Sequence, residues 1–188
     1  MFNNKAQSLQ NHLSTLGNSL LATGAVLMLV SASVVTAGDK PLTDANIAAI
    51  VVGANNIDIS AGKIALKRSQ NAEVKKFAQT MITDHTAVLN SAVALVTRLG
   101  VTPVNNELVA TLSKQSQEHE AKLLTLTGKA FDKAYIDHEV AYPQAAIGVI
   151  SDMLIPGAQN KELKDTLISV LPAFKAHLKH CQMIQASI

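Results

Sequence analysis

Residues 72–100, AEVKKFAQTMITDHTAVLNSAVALVTRLG, decide the fold. Val74, Phe77, Met81, His85, Val88, Ala92, Val96 and Leu99 recur at steps of three and four, the spacing that gathers side chains on one face of an α-helix. Asn71, in the turn Ser69-Gln70-Asn71, offers an N-cap, and Gly100 with Pro103 beyond it supplies the stop. A half-buried strand needs apolar residues at alternate positions, and no stretch of the chain sustains that pattern.

The same period continues on both sides. Upstream, Thr43 or Asp44 caps a helix to about Ser69, with Ile47, Val51, Ala54, Ile57, Ala61 and Ile64 on its stripe. Downstream, a more polar helix spans Asn106 to Leu126 and ends near Gly128. A further helix covers Lys129 to Leu154, and Pro156-Gly157 forces a turn. Asn160 caps the last helix, whose stripe is Leu163, Leu167, Val170, Phe174, His177, Cys181 and Ile184. Helices of about 25 residues are roughly 37 Å long at the α-helical rise. Joined by short turns, they predict an all-α, up-and-down four-helix bundle with an additional shorter helix. Pro143 and Pro172 fall inside helices, where each removes a backbone hydrogen bond and bends the chain.

The first forty residues read as an address. Between Ala6 and Gly38 there is no Asp, Glu, Lys or Arg, and Leu20 to Val35 is an apolar run. Its length suits a signal-peptide core and falls short of the ~20 apolar residues of a membrane span. Val35-Thr36-Ala37 places small residues where a signal peptidase reads, which predicts residues 1–37 as a signal peptide and 38–188 as one mature domain. The rival reading is an uncleaved anchor. No Cys follows the cleavage point, which argues against a lipoprotein, and the compartment expected is periplasmic or secreted.

Composition narrows the function. Aromatics are 3% of residues with no Trp, so the core is aliphatic and base- or sugar-stacking surfaces are not expected. The formal charge is +2, and removal of Lys5 with the signal leaves +1, which provides no field for nucleic acid. Cys181 is the sole cysteine, so no intrachain disulfide forms. No nucleophile elbow, phosphate loop or Cys-x-x-Cys pair is present. Expected partners are a second copy of the chain or an envelope protein, with no stable membrane insertion after cleavage.

Several polar residues sit on apolar stripes. His85, His138 and His177 lie on three helices, with Asp58 and Asp84 near the same faces. Imidazoles and carboxylates converging inside a bundle are how helical proteins hold iron, manganese or zinc. Against this, the Glu-x-x-His spacing of di-iron bundles is missing, because Ile82, Tyr135 and Phe174 stand three residues before the histidines. The bland alternative is a set of core histidines bonded to neighbouring helices. His177-x-x-His180-Cys181 is a weaker cluster, because Cys181 falls on the apolar stripe. Glu118-His119-Glu120 reads as solvated, and Tyr135, His138 and Tyr142 as a packing face.

From Asp44 to Gln182 the sequence resembles the exported, ferritin-like domain-of-unknown-function family 4142. The resemblance rests on Glu73-Val-Lys-Lys-Phe-Ala-Gln-Thr-Met81, Thr83-Asp84-His85-Thr86, Phe131-Asp132-Lys-Ala-Tyr135 and Leu171-Pro172-Ala-Phe-Lys-Ala-His177-Leu178. It implies a helical bundle and export, and no particular reaction. Relatives usually carry Glu at Asp58 and often His at Pro143. If those positions are ligands, this chain keeps Asp84, His85 and His177, shortens one carboxylate and loses one imidazole. His138, five residues before Pro143, points about 140° away on a regular helix. The expectation is a non-enzymatic envelope stress or binding protein; the alternative is a metal-dependent redox or storage protein using Asp58, Asp84, His85, His138 and His177.

N-terminal sequencing of the chain recovered from the periplasm is expected to begin at Gly38. Recovery from the cytoplasm with residues 1–37 intact overturns the export reading.

Overall fold

The computed structural model describes residues 41–188, so the signal-peptide reading lies outside the described residues. Five long helices make up the domain: α1 (Asp44–Arg68), α2 (Ala72–Arg98), α3 (Glu107–Thr125), α4 (Gly128–Val149) and α5 (Lys161–Gln185). The fold is all-α, with no strand among the described residues. The caps expected at Thr43, Asn71 and Asn160 are in place, and Asn106 supplies a further one. Thr43 and Asn46 form a reciprocal capping box on α1, and Asn71, Asn106 and Asn160 each accept from the first-turn amides of α2, α3 and α5. Gly100 and Gly128 take left-handed φ values of 66° and 55° between elements, a conformation that costs glycine little.

α1, α2, α5 and α4 form the ring of the bundle, each packed on the next. Neighbours in this ring run antiparallel. α2 and α4 sit diagonally and run the same way, so the chain must return along the bundle between them. α3 makes that return, lying chiefly on α1, and this is why the most polar helix exists. Of its 19 residues, Leu123 is the one that is buried.

The core has two apolar halves. One holds Val74, Phe77, Met81, Leu123, Phe131, Tyr135, Ile136 and Ile184; the other holds Ile47, Ile50, Leu95, Leu154, Leu163, Leu167 and Phe174. Each ring helix contributes to both, and at mid-height each carries buried polar residues instead: Asn55 and Asp58 on α1, His85 on α2, His138 and Glu139 on α4, His177 on α5. α1 is long and apolar enough to cross a membrane by length and composition; 56% of that window is buried inside the bundle, where α1 serves as a core helix.

Two departures from regular helix fall on α4 and its continuation. Expected to run unbroken to Leu154, the helix ends at Val149 and continues as a π-helical segment, Ile150–Leu154, then a last turn, Ile155–Gly157. Pro143 has no N–H for the carbonyl of Glu139, four residues back. Cys181 fills the gap, its thiol donating to the Glu139 oxygen at 2.9 Å. Pro172 frees the carbonyl of Ile168, a residue 49% exposed, where water can serve.

Helix α1 lies tightly against α2 at Gly62, where a Cβ would lie 3.0 Å from Ile82 Cγ1 and 3.1 Å from the Ala78 carbonyl. At Gly53 the nearest atom would be 3.7 Å away. Gly62→Val is therefore expected to cost about 1–3 kcal/mol by overpacking. Gly53→Ala should gain up to about 1 kcal/mol from helix propensity. Urea unfolding followed by circular dichroism measures both, and equal effects at the two positions would contradict this packing.

Candidate metal centre

The mid-height layer brings together side chains from α1, α2, α4 and α5. Asn55 fixes its own orientation by donating from Nδ2 to the Val51 carbonyl at 2.8 Å. Its Oδ1 is thus an acceptor, and His85 Nδ1, 2.9 Å away, must be the donor. The neutral His85 ring then carries its lone pair on Nε2, which is buried with no hydrogen-bond partner. His177 repeats the arrangement from α5. Its Nε2 meets Asp84 Oδ2 at 2.9 Å, and a carboxylate can only accept. In the neutral His177 ring the lone pair is on Nδ1, again buried without a partner. The two ring centroids are 5.4 Å apart. Phe174 supports His85 edge-on at 5.7 Å.

Two carboxylic groups complete the layer. Asp58 is 2% exposed and Glu139 fully buried, and none of their four oxygens has a hydrogen-bond partner. His85 Nδ1 is 3.3 Å from Asp58 Oδ2, but its proton is directed to Asn55. Burial, and then the neighbouring Glu139, push the Asp58 carboxyl well above the usual range. Burial pushes Glu139 up to about 8. Tyr135 and Tyr142 flank the pair, and both phenols are raised by burial and by the two carboxyls. The Tyr135 hydroxyl is a further buried oxygen without a partner.

The five residues singled out from sequence divide into groups. Asp58, His85 and His177 belong to this layer. Asp84, its side chain 47% exposed, orients His177 from the bundle surface. His138 is buried elsewhere in the layer, its ring stacked on His119 of α3 at 3.8 Å and on Tyr142 at 5.4 Å, with Nδ1 3.8 Å from Glu139 Oε1. Burial lowers His138 to about 4, and burial with His138 and Lys122 nearby lowers His119 to about 3. The reading of Glu118-His119-Glu120 as solvated is corrected for His119, because the return of α3 over α4 lays that ring on His138. Among the described residues, no three His, Cys, Asp or Glu side chains are already drawn into one ligating group.

Sequence reading passed over Glu139 and Asn55. Glu139 follows Phe131 and Tyr135 at steps of four, so its place on an apolar stripe was available as a signal. Asn55 gave none, since its role is to hold a tautomer.

The fold and its mid-height layer define an all-α helical bundle with imidazoles and carboxyls buried in its core. The chain belongs to the family described as a domain of unknown function (DUF4142), whose model matches residues 31–184. No curated protein matches it. Among solved structures it is similar to CopM in the Cu(II)-bound form, with a TM-score of 0.60 and 18% identity over 78% of this chain and 98% of that one. At that identity the likeness establishes the shared helical fold.

The buried groups set the pH dependence of the metal-free chain. Asp58 and Glu139 keep protons when folded at pH values where the unfolded chain, with pKa values of 3.8 and 4.5, has lost them. For Glu139 this stabilisation is lost as pH rises toward and through about 8, and Asp58, raised by burial and by Glu139, acts in the same direction. His85 and His138 at about 4 and His119 at about 3, against 6.5 unfolded, act oppositely and lose stability as pH falls below 6.5. Three histidines outweigh two acids below 6.5, so stability measured by urea titration should peak near pH 6.5. Glu139→Gln should flatten the decline from there to about pH 8. An unchanged decline in that variant excludes Glu139 as its source.

Proposed function

We propose that this chain is an exported, non-enzymatic metal-binding protein of the cell envelope, holding a transition-metal ion in the mid-height layer of its bundle. The observation that carries the reading is the pair His85 and His177. Each ring has its N–H held by an amide or carboxylate partner and its lone-pair nitrogen buried and unpaired. Metal-binding histidines are oriented in this way, their second nitrogen donating to an oxygen behind them.

The donor types suit a metal, and binding would have to draw them into one ligating group. His85 Nε2 and His177 Nδ1 would supply the nitrogens; Asp58, which lies on the Nδ1 side of His85, and Glu139 would move in to supply oxygens once their protons leave. Asp84 and Asn55 would stand behind the imidazoles. Imidazole suits zinc, copper and iron, and added carboxylates extend the set toward iron and manganese. Copper is included among the ions to test because a protein of similar fold was solved with Cu(II) bound. A cation would also balance two carboxylates that otherwise stay neutral only by keeping protons. The apolar run and small-residue cleavage site before Gly38 support export.

Elemental analysis of the untagged chain, purified from the periplasm without chelator, tests this. About one copper, zinc, iron or manganese per chain is expected. His85→Ala and His177→Ala should abolish it, and Asp84→Asn should weaken affinity by about 10–100-fold as a loss behind a ligand does. A wild-type chain that is metal-free and takes up none of these ions in dialysis overturns the proposal. Histidine variants that stay folded would then mark the rings as structural.

A further inference from the structure

Two spaces lie beneath α3, the inner one bordered by Asn55, Tyr142 and Phe174 at the edge of the polar layer. The inner one, about 80 Å³, is walled by aliphatic and aromatic groups from all five helices, among them Ile50, Leu95, Leu108, Ala146, Leu167 and Phe174. Its polar borders are largely spent. Asn55 bonds Val51 and His85, and the Thr166 hydroxyl donates to the Glu162 carbonyl. A resident water needs two to four polar partners, and this wall does not provide them. The inner space therefore suits an apolar group.

The outer space, about 260 Å³, lies between α1 and α3 and has a different chemistry. Asn56 and Ser60 on α1 face Ser113, Ser116, Gln117 and Glu120 on α3. Glu120 is the one charged side chain bordering either space, and no Lys or Arg borders them. Ile50 and Leu112 border both, so the two spaces share a wall. Half-buried Leu112 is on α3, the helix with a single buried residue, which can shift at the least cost in packing.

The geometry points to a binding site for a small amphiphilic amine, its short alkyl or single-ring part in the inner space and its ammonium head at Glu120. The dry inner wall selects the apolar part. The serines, amides and lone carboxylate of the mouth select a hydrogen-bonding cation and disfavour a carboxylate or phosphate head. The site does not depend on the metal reading, since its walls include none of the groups assigned as ligands.

The test uses the mature chain in excess chelator, with methyl-labelled Ile and Leu followed by NMR. n-Hexylamine, n-hexanol and n-hexanoate are the probes. Saturable shifts of the Ile50, Leu112 and Leu167 methyls are expected with hexylamine, with hexanoate weaker by about tenfold, since an attraction of up to 1 kcal/mol becomes a repulsion. Ala92→Phe, which fills the inner space, should abolish binding. Glu120→Gln, a nearly isosteric change at a half-buried position outside the apolar core, should bring hexylamine down to the level of hexanol. Equal binding of hexylamine and hexanoate, equal binding of hexylamine and hexanol to the wild type, or no saturable shift at these methyls overturns the assignment.

Discussion

The burial of Asp58 and Glu139 at mid-height, with histidines but no Lys or Arg paired to them, is the constraint around which the bundle is arranged. A carboxylate in such a place is costly unless paired, so the two groups either keep their protons or share a cation. Neither state is possible in a loosely packed interior, because water entering the layer would solvate the charges and return both groups to ordinary acidity. The two apolar halves supply the exclusion. Phe77, Phe131 and Tyr135 close one side, and Ile50, Leu154 and Phe174 close the other. The hydrophobic effect that holds the helices together is thus also what makes their central polar layer unusual.

Backbone chemistry ties α4 into the same layer. The carbonyl that Pro143 leaves without an amide belongs to Glu139, and the thiol that replaces the amide comes from α5. One hydrogen bond therefore links the position of Glu139, the course of α4 and the register of α5. α3 stands apart from this economy. It exists because α2 and α4 run the same way, and its shallow packing leaves space beneath it that a ring helix would have filled.

Much of this was legible before any coordinates. The period of residues 72–100, the Asn caps and the Gly and Pro stops determine helix positions because each acts locally. Asp58, His85 and His177 stood out for the same local reason: they interrupt apolar stripes. Glu139 interrupts one too, next to His138 on the same helix. Asn55 and His119 were beyond reach, since their roles depend on partners 30 and 19 residues away across helix interfaces whose register no single helix encodes. The handover from Pro143 to Cys181 spans 42 residues from the orphaned carbonyl and was equally hidden. The π-helical segment after Val149 has no signal in the sequence that we can identify.

Cys181 carries one consequence of its own. The thiol is fully buried, committed to a backbone oxygen and pushed up to about 12, first by burial and then by Glu139. A sulfur in that state has almost no thiolate to offer, so an unpaired cysteine is kept from alkylation, oxidation and mixed disulfides while α4 and α5 stay together. Its chemistry begins when they part. The rate at which a thiol reagent captures Cys181 is then a clock for the opening of that helix pair, built into the chain and readable without any label.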